Sequence, residues 1–264
     1  MTSASERATG EALAGARMAG TTIDPSDIAQ AAPWPPADLP AAERIQAAAS
    51  AAMGEPVAGW KIGATSPEAQ KIMGCDGPFC GPLFGSRVHG SGATVPFPAG
   101  ILGVECEFAF QIGGNQPAGK ADYDAGSIGD LVASCHPALE IVGRRTRGDG
   151  FPTITAAVAD FALNVGFVRG APIQDWRNAD LAGTEVKGFV GSEQTNAGYG
   201  RNVLGHPLNA LAWLANALAG RGSGLKAGNW VSTGTCLGVV PAAPGARIHG
   251  DYGALGRVEV EFSD

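Results

Sequence analysis

The sequence predicts an α+β protein that is rich in β structure, with a mainly helical region before a mainly β body. Long stretches rich in Ala, Glu and Arg come first, and after about residue 80 proline- and glycine-rich turns separate short apolar runs. The 40 glycines and 18 prolines indicate many turns, as in a fold built from short strands. We therefore predict a mainly helical region over residues 1–79 and a β-rich domain over residues 80–264.

Four segments have the pattern of helices: residues 5–19, 40–53, 65–74 and 207–220. In the third, Thr65 or Ser66 can cap the start, Pro67 suits the first turn, and Gly74 suits a left-handed C-cap. The fourth places its leucines on one face, as in a helix that packs on a core. The prolines of residues 21–40 predict a loop with at most a short helix.

Five short runs have β character: residues 104–112, 137–142, 164–170, 229–235 and 256–262. Side chains alternate between the two faces of a strand. One face of the first run is therefore expected in the core, and it carries Val104, Cys106, Phe108, Phe110 and Ile112. Glu105 and Glu107 lie together on the other face, roughly 7 Å apart at the backbone.

Composition limits the possible partners and compartment. The net charge of -7 and the pI of about 5.1 give no electrostatic basis for binding nucleic acid or an anionic membrane. The opening residues lack a secretory signal, and no apolar run approaches the roughly 20 residues that span a bilayer. Five scattered cysteines without zinc-ligand spacing indicate free thiols. We expect a cytoplasmic protein that acts on a small molecule.

The acidic pair has an ordinary explanation and a functional one. Glu259 and Glu261 have the same spacing near the carboxyl terminus, where the solvent-facing side of an edge strand explains them. Glu140 is a third acid inside an apolar run, and burying an ionised carboxylate without a partner is costly. If the strands of Glu105, Glu107 and Glu140 were neighbours, they would form an oxygen-only site suited to Mg²⁺ or Mn²⁺. Spacing alone does not decide between the two explanations.

Lys61 lies between Trp60 and Ile62 in the segment VAGWKIGAT. A desolvated lysine has a lowered pKa and can act as an acid or base near neutrality, although neighbouring carboxylates would oppose that shift. The structural alternative is a lysine whose stem packs on apolar surface while its amine reaches water or an acid.

Six stretches, taken together, resemble one enzyme family. They are GWKIGATSPEAQKIMG, GVECEFAF, HPALEIV, ITAAVAD, LGHPLNALAWLANAL and LKAGNWVSTGT, which lie in that order within roughly residues 55–263. In this order they resemble the hydratase branch of the fumarylacetoacetate hydrolase superfamily, that is, the 2-oxopent-4-enoate (2-hydroxypenta-2,4-dienoate) hydratases and the related 2-oxo-3-hexenedioate decarboxylases. The resemblance implies a mixed β-roll with flanking helices and a homo-oligomer.

The resemblance also implies roles for individual residues. Glu105 and Glu107 match the acidic pair of the family's V-E-x-E motif, and Glu140 matches the acid of its P-A-[IL]-E-[IV] motif, so these three would be ligands of Mg²⁺ or Mn²⁺ in the β-rich catalytic domain. Lys61 matches the active-site lysine of G-x-K-[IV]-G. Thr233 and Gly234 match a segment that would bind the substrate carboxylate. The implied activity is addition of water to a 2-hydroxy-2,4-dienoate in aromatic-compound catabolism, giving a 4-hydroxy-2-oxo acid.

The chain departs from the family pattern at three polar positions. Phe79 replaces an aspartate in the family's P-D-[FY]-G motif. In the D-N-x-S motif Asp160 is kept, but Phe161 and Leu163 replace the amide and the serine. A decarboxylase, an isomerase or a C–C hydrolase of the same superfamily, or a member that only binds a metal and a 2-oxo acid, is therefore the alternative.

Other candidate residues have weaker support. Cys236 could be a nucleophile, but the sequence shows no histidine partner, and buried cysteines are common. His136 and His206 are expected to have structural roles, His206 at a helix entry. The glycine-rich segments lack the GK[ST] of a phosphate-binding loop.

Overall fold

The computed structural model describes residues 2–30 and 32–264. Met1 and Ala31, which belong to the predicted helical region and to the predicted loop, lie outside the described residues. Within these ranges the helices are α1 Ala4–Ala19, α2 Pro25–Ala29, α3 Leu39–Ala52, α4 Pro67–Met73, α5 Ala125–Ile128, α6 Ile154–Ala159 and α7 Pro207–Gly220. The strands are β1 Val57–Gly63, β2 Phe79–Phe84, β3 Val88–Gly90, β4 Ala93–Val95, β5 Ile101–Ile112, β6 Val132–Gly143, β7 Asn164–Arg169, β8 Glu185–Val190, β9 Glu193–Tyr199, β10 Trp230–Val240, β11 Arg247–Asp251 and β12 Arg257–Phe262.

The strands form two mixed sheets, as the α+β prediction requires. The larger sheet has seven strands in the order β2-β1-β10-β5-β6-β7-β3, and the smaller has five in the order β4-β12-β11-β8-β9. The long strands β5, β6 and β10 lie next to one another at the centre of the larger sheet. The prediction of a β-rich α+β fold is confirmed.

The helix ends follow local signals in the sequence. Ser66 accepts a hydrogen bond from Ala69 N at the start of α4, and Gly74 ends that helix with φ 64°. In α1 the side chain of Ser3 accepts from Glu6 N in a capping box, and at α7 the His206 ring accepts from Leu208 N. All four predicted helices are present, and His206 is a helix cap, as expected.

Two large hydrophobic clusters hold the layers together, and a small third cluster lies within the larger sheet. The main core packs side chains of both sheets against α7, and it includes the five apolar β5 residues that were predicted to be buried. A second core joins α1 and α3 to α6 and to the turn that follows it. No helix within the described residues combines the length and the apolar character that are needed to cross a bilayer.

Two local predictions need correction. Residues 57–63 were assigned to the mainly helical region, but they form β1, which pairs with β2 and β10 inside the larger sheet. The glycines Gly59 and Gly63 interrupt an apolar pattern that would otherwise have indicated a strand.

Strand β12 is not an edge strand, because β4 pairs with its outer side. Its acids Glu259 and Glu261 do face solvent and pair with arginines. The division of the chain at residue 79 stays a prediction.

Candidate metal centre and active site

The three acids of the apolar runs meet at the centre of the larger sheet. Strands β5 and β6 are antiparallel neighbours, and their register sets Glu105 opposite Glu140 and Glu107 opposite Ala138. Each glutamate offers a carboxylate oxygen within 4.8 Å of the others. The side chains of Glu107 and Glu140 are fully buried, and Glu105 is half-buried. The structure therefore brings together all three residues that the sequence singled out.

Each buried carboxylate is anchored by one oxygen and offers the other. Glu107 Oε2 accepts hydrogen bonds from Ser232 Oγ at 2.6 Å and Gly234 N at 2.8 Å, while its Oε1 has no partner among the described residues. Glu140 Oε1 accepts from Asn164 Nδ2 at 2.9 Å, while its Oε2 forms an ion pair with Lys61 Nζ at 3.2 Å and has no hydrogen-bond partner among the described residues. Such oxygens fit a hard divalent cation.

The electrostatics of the cluster favour a bound cation. Burial raises the pKa of Glu107 well above its usual range, and the neighbouring Glu140 and Glu105 raise it further. Burial also raises the pKa of Glu140, and it raises the pKa of Glu105 to about 7. Three carboxylates this close cannot all be ionised without a compensating charge. The donor set is all oxygen, so the residues present could hold a metal of the Mg²⁺ or Mn²⁺ kind.

Lys61 reaches this cluster from β1. It is only 3% exposed, and its Nζ donates a hydrogen bond to Ala162 O at 3.1 Å. The Phe79 ring lies beside the amine, with its centroid 5.7 Å from Nζ. Burial lowers the pKa of Lys61, but the carboxylates of Glu140, Glu105 and Glu107 outweigh that effect, so the net shift of its pKa is upward. The opposing effect expected from neighbouring carboxylates therefore dominates in this arrangement of side chains.

The carbonyl that holds Lys61 belongs to a strained turn. Phe161, Ala162 and Leu163 all have left-handed backbones, with φ values of 53°, 53° and 65°. Each residue other than glycine in this conformation costs of order 1–3 kcal/mol, so the surroundings must fix the turn. Nothing in the sequence FAL indicates this conformation, and it was not predicted.

Arg145 and Asp160 fix that turn from behind. Arg145 Nε donates to Asp160 Oδ1 at 2.5 Å, and Arg145 N donates to Asp160 Oδ2 at 2.6 Å. The same guanidinium donates to Asp160 O at 2.9 Å and to Asn164 O at 2.8 Å, the two ends of the turn. Asp160 is the acid kept from the family motif, and the structure shows it paired with Arg145, away from the pocket lining.

Lys61 and Glu105 line a pocket of about 1140 Å³. Its apolar lining includes Val142, Phe151, Phe79 and Leu163, and at the last two the sequence resemblance led us to expect polar residues. Another part of the lining is polar and was not predicted, because nothing in the local sequence marks it: Asn196, Arg201, Asn202 and Thr235. The pocket is large enough for a small organic acid.

Thr233 and Gly234 lie beside the cluster, but their polar groups are engaged within the protein. The Thr233 hydroxyl donates to Phe108 O at 2.8 Å, and the Gly234 amide donates to Glu107. Ser232, which was not predicted as a site residue, is the side chain of this strand that contacts a candidate ligand. Binding of the substrate carboxylate by Thr233 and Gly234 stays a prediction.

We predict that Gly234→Ala will weaken both the fold and cation binding. Gly234 has φ 106°, and a Cβ there would lie 2.1 Å from Thr65 Oγ1. Relief of that clash would move the amide away from Glu107. We expect a loss of about 1–3 kcal/mol in the free energy of unfolding, together with weaker Mn²⁺ binding, measured by urea denaturation and by titration.

Gly228→Ala is the matched control, because Gly228 also has a positive φ of 87° but has open space where a Cβ would lie. It should lose less stability and keep the Mn²⁺ affinity of the wild type. Equal losses in the two variants would mean that backbone strain alone, without any link to Glu107, explains the effect.

The remaining candidates have structural surroundings. Cys236 is fully buried, and burial raises the pKa of its thiol well above the usual range, so a thiolate nucleophile is disfavoured. His136 forms two hydrogen bonds, one between its Nδ1 and Gly170 O and one between its Nε2 and Ser134 Oγ. All five cysteines are free.

The fold and the three-carboxylate cluster define a class of protein, the fumarylacetoacetate hydrolase superfamily. The structure matches 4-oxalocrotonate decarboxylase from Pseudomonas putida G7, complexed with magnesium and adipate, with a TM-score of 0.84, 26% identity and 97% coverage of both chains. No protein-family model matches the sequence.

Comparison with curated sequences identifies a family within this superfamily. The chain is 36% identical over 216 residues to a 2-keto-4-pentenoate hydratase from Burkholderia vietnamiensis, covering 80% of each chain. It is 34% identical over 217 residues to a 2-hydroxyhexa-2,4-dienoate hydratase from Comamonas testosteroni, covering 81% of each. The chain belongs to the 2-keto-4-pentenoate hydratase family, and the resemblance seen in the sequence is confirmed.

Proposed function

We propose that this chain is a divalent-metal-dependent hydro-lyase of aromatic-compound catabolism. It would add water to a 2-hydroxy-2,4-dienoate, or to the 2-oxo-enoate formed from it, and release a 4-hydroxy-2-oxo acid. The observation that carries this proposal is a pair of carboxylate oxygens without a hydrogen-bond partner among the described residues, Glu107 Oε1 and Glu140 Oε2, the second of which forms an ion pair with Lys61. The family relatives, which are named as hydratases of such dienoates, support the same substrate class.

Separate residues of the chain would bind the metal, transfer the proton and bind the substrate. Glu105, Glu107 and Glu140 would hold Mg²⁺ or Mn²⁺, which when bound supplies a Lewis acid for the oxygens of a 2-oxo acid. Lys61 Nζ would carry the proton that moves when the dienol becomes a ketone, and Ala162 O keeps the amine in place. Thr233 and Gly234 are proposed to contribute to binding of the substrate carboxylate.

The setting of the protein is also proposed from its residues. Five free cysteines fit a reducing compartment, so we propose a cytoplasmic enzyme. Family resemblance supports a homo-oligomer that takes a small 2-oxo or 2-hydroxydienoic acid and binds neither nucleic acid nor membrane.

A decarboxylase of the same superfamily is the second candidate. Phe79 and Leu163 line the pocket near Lys61, and an apolar surrounding without a further acid or base suits loss of CO₂ better than activation of water. Arg201 also lines the pocket, and its guanidinium would hold the second carboxylate of a dicarboxylic substrate. The decarboxylase from Pseudomonas putida G7, which the fold matches, was solved with adipate.

The proposal predicts metal-dependent loss of the ultraviolet absorbance of 2-hydroxypenta-2,4-dienoate. A chelator should abolish turnover, and Mg²⁺ or Mn²⁺ should restore it. Glu107→Gln removes one charge at nearly constant shape, and because the metal contributes several kcal/mol we expect a loss of about 10³-fold. The product should be identified by chromatography.

Glu259→Gln is the matched control, because Glu259 belongs to an acidic pair of the same spacing but faces solvent. It should keep full turnover. Release of CO₂ from 2-oxo-3-hexenedioate without hydration of the pentadienoate would replace the hydratase by the decarboxylase. Metal binding without turnover of either substrate would contradict an enzymatic role.

A further inference from the structure

Helix α1 reaches the candidate metal centre through one buried arginine. Arg17 is only 5% exposed, and its guanidinium lies 4.7 Å from the ring centroid of Phe161 and 5.3 Å from that of Phe84. Its Nη1 donates to Asn164 O, and its Nη2 donates to Asn164 Oδ1 at 3.0 Å. The guanidinium therefore contacts both the main chain and the side chain of one residue, Asn164.

These contacts set the orientation of the Asn164 amide. A guanidinium only donates hydrogen bonds, so the atom that faces it must be the amide oxygen, and the NH₂ group must point the other way. That group donates to Glu140 Oε1 at 2.9 Å. The reversed amide would set NH₂ against a cation and oxygen against a carboxylate. Arg17 thus determines which end of Asn164 meets Glu140.

We propose that Arg17 and Asn164 are positioning residues for Glu140, acting in series from α1 to the metal centre. Anchoring Oε1 leaves Oε2 on the side of Lys61 and the other two carboxylates. The inference rests on the proposed metal site, and it adds two residues that contact neither the cation nor the substrate. Partners of this kind orient metal ligands and affect affinity strongly.

The surroundings of Arg17 indicate a role beyond packing. An apolar side chain would fill the space between two aromatic rings at lower cost, because a buried cation must be desolvated. Burial and the nearby Arg145 lower the pKa of Arg17, which reflects that cost. Besides donating to the main-chain carbonyls of Asn164 and Val165, this buried cation fixes the amide next to Glu140.

The test is Mn²⁺ affinity, measured by the loss of the free-ion electron paramagnetic resonance signal after chelator treatment. Arg17→Met and Asn164→Ala should each weaken Mn²⁺ binding by about 10–100-fold. Because the two residues act in series, the double variant should bind Mn²⁺ no more weakly than Asn164→Ala, whereas independent effects would add. Arg17→Lys, which cannot make both bonds in the same geometry, should lose about threefold or more.

Gln46→Leu is the matched control from the same helical layer. Gln46 is also buried, and its side chain donates to Cys80 O and Val158 O but not to a candidate ligand. It should lower the melting temperature and leave Mn²⁺ affinity unchanged. Circular dichroism would confirm that each variant is folded. If Arg17→Met does not fold, the Mn²⁺ affinity of Arg17→Lys tests the role of Arg17.

The outcomes separate this inference from the proposed function. If the wild type binds no Mn²⁺, the proposed metal site is wrong and the inference fails with it. If the wild type binds Mn²⁺ and the folded Arg17 variants bind it equally tightly, the inference alone is overturned. Additive losses in the double variant would also overturn the serial arrangement.

Discussion

Lys61→Met should lower turnover of the dienoate by about 10²–10⁴-fold, the usual contribution of a positioned proton-transfer group, while Mn²⁺ binding is kept. Methionine keeps an unbranched apolar stem as far as Cε but has no amine, so it cannot carry a proton. Since Lys61 Nζ lies 3.2 Å from Glu140 Oε2, its removal also takes away a charge that competes with the metal. Mn²⁺ should therefore bind as tightly as in the wild type, or more tightly. Initial rates and metal titration of the same preparation would measure both effects.

Lys187→Met is the control, because Lys187 is half-exposed and pairs with Glu185 on the smaller sheet. It should change neither rate nor affinity. Turnover of Lys61→Met within a few fold of the wild type would show that another group moves the proton. Loss of Mn²⁺ binding in that variant would instead assign Lys61 a structural role at the cluster.

The acidic cluster could be predicted from the sequence because strand alternation is local. The pattern of β5 placed Glu105 and Glu107 on one face, opposite five core residues, and this is what the structure shows. The adjacency of Glu140 could not follow from alternation, because the β5–β6 register depends on how the whole strands pair. Only the family motifs connected the three acids before the structure did.

The residues that position the acids and Lys61 could not be predicted from the sequence, for a different reason. Arg17 and Asn164 are 147 positions apart, and neither belongs to a pattern that marks a site. The left-handed turn after Asp160 is fixed by tertiary hydrogen bonds, so the preferences of Phe161 and Leu163 give no sign of it. Tertiary contacts here override local propensity.

Asp160→Ala should cause the largest loss of stability, about 3–5 kcal/mol in the free energy of unfolding, because it leaves a buried cation without its partner. Arg145 is 4% exposed and Asp160 1% exposed, so water cannot replace the lost carboxylate. The same change should release the strained turn and draw Ala162 O away from Lys61. Urea denaturation measures the first effect, and turnover at a temperature below the unfolding transition of the variant measures the second.

Glu261→Gln provides the comparison for an exposed ion pair. Arg247 and Glu261 are 2.8 Å apart, but their side chains are 60% and 42% exposed. An exposed pair contributes little to stability, because solvent and salt screen it, so we expect only a small loss. A similar, small loss in Asp160→Ala would contradict the role of the Arg145–Asp160 pair in holding the turn. A large loss that Arg145→Leu/Asp160→Leu substantially restores would show that the isolated charge, rather than the missing hydrogen bonds, destabilises the single variant.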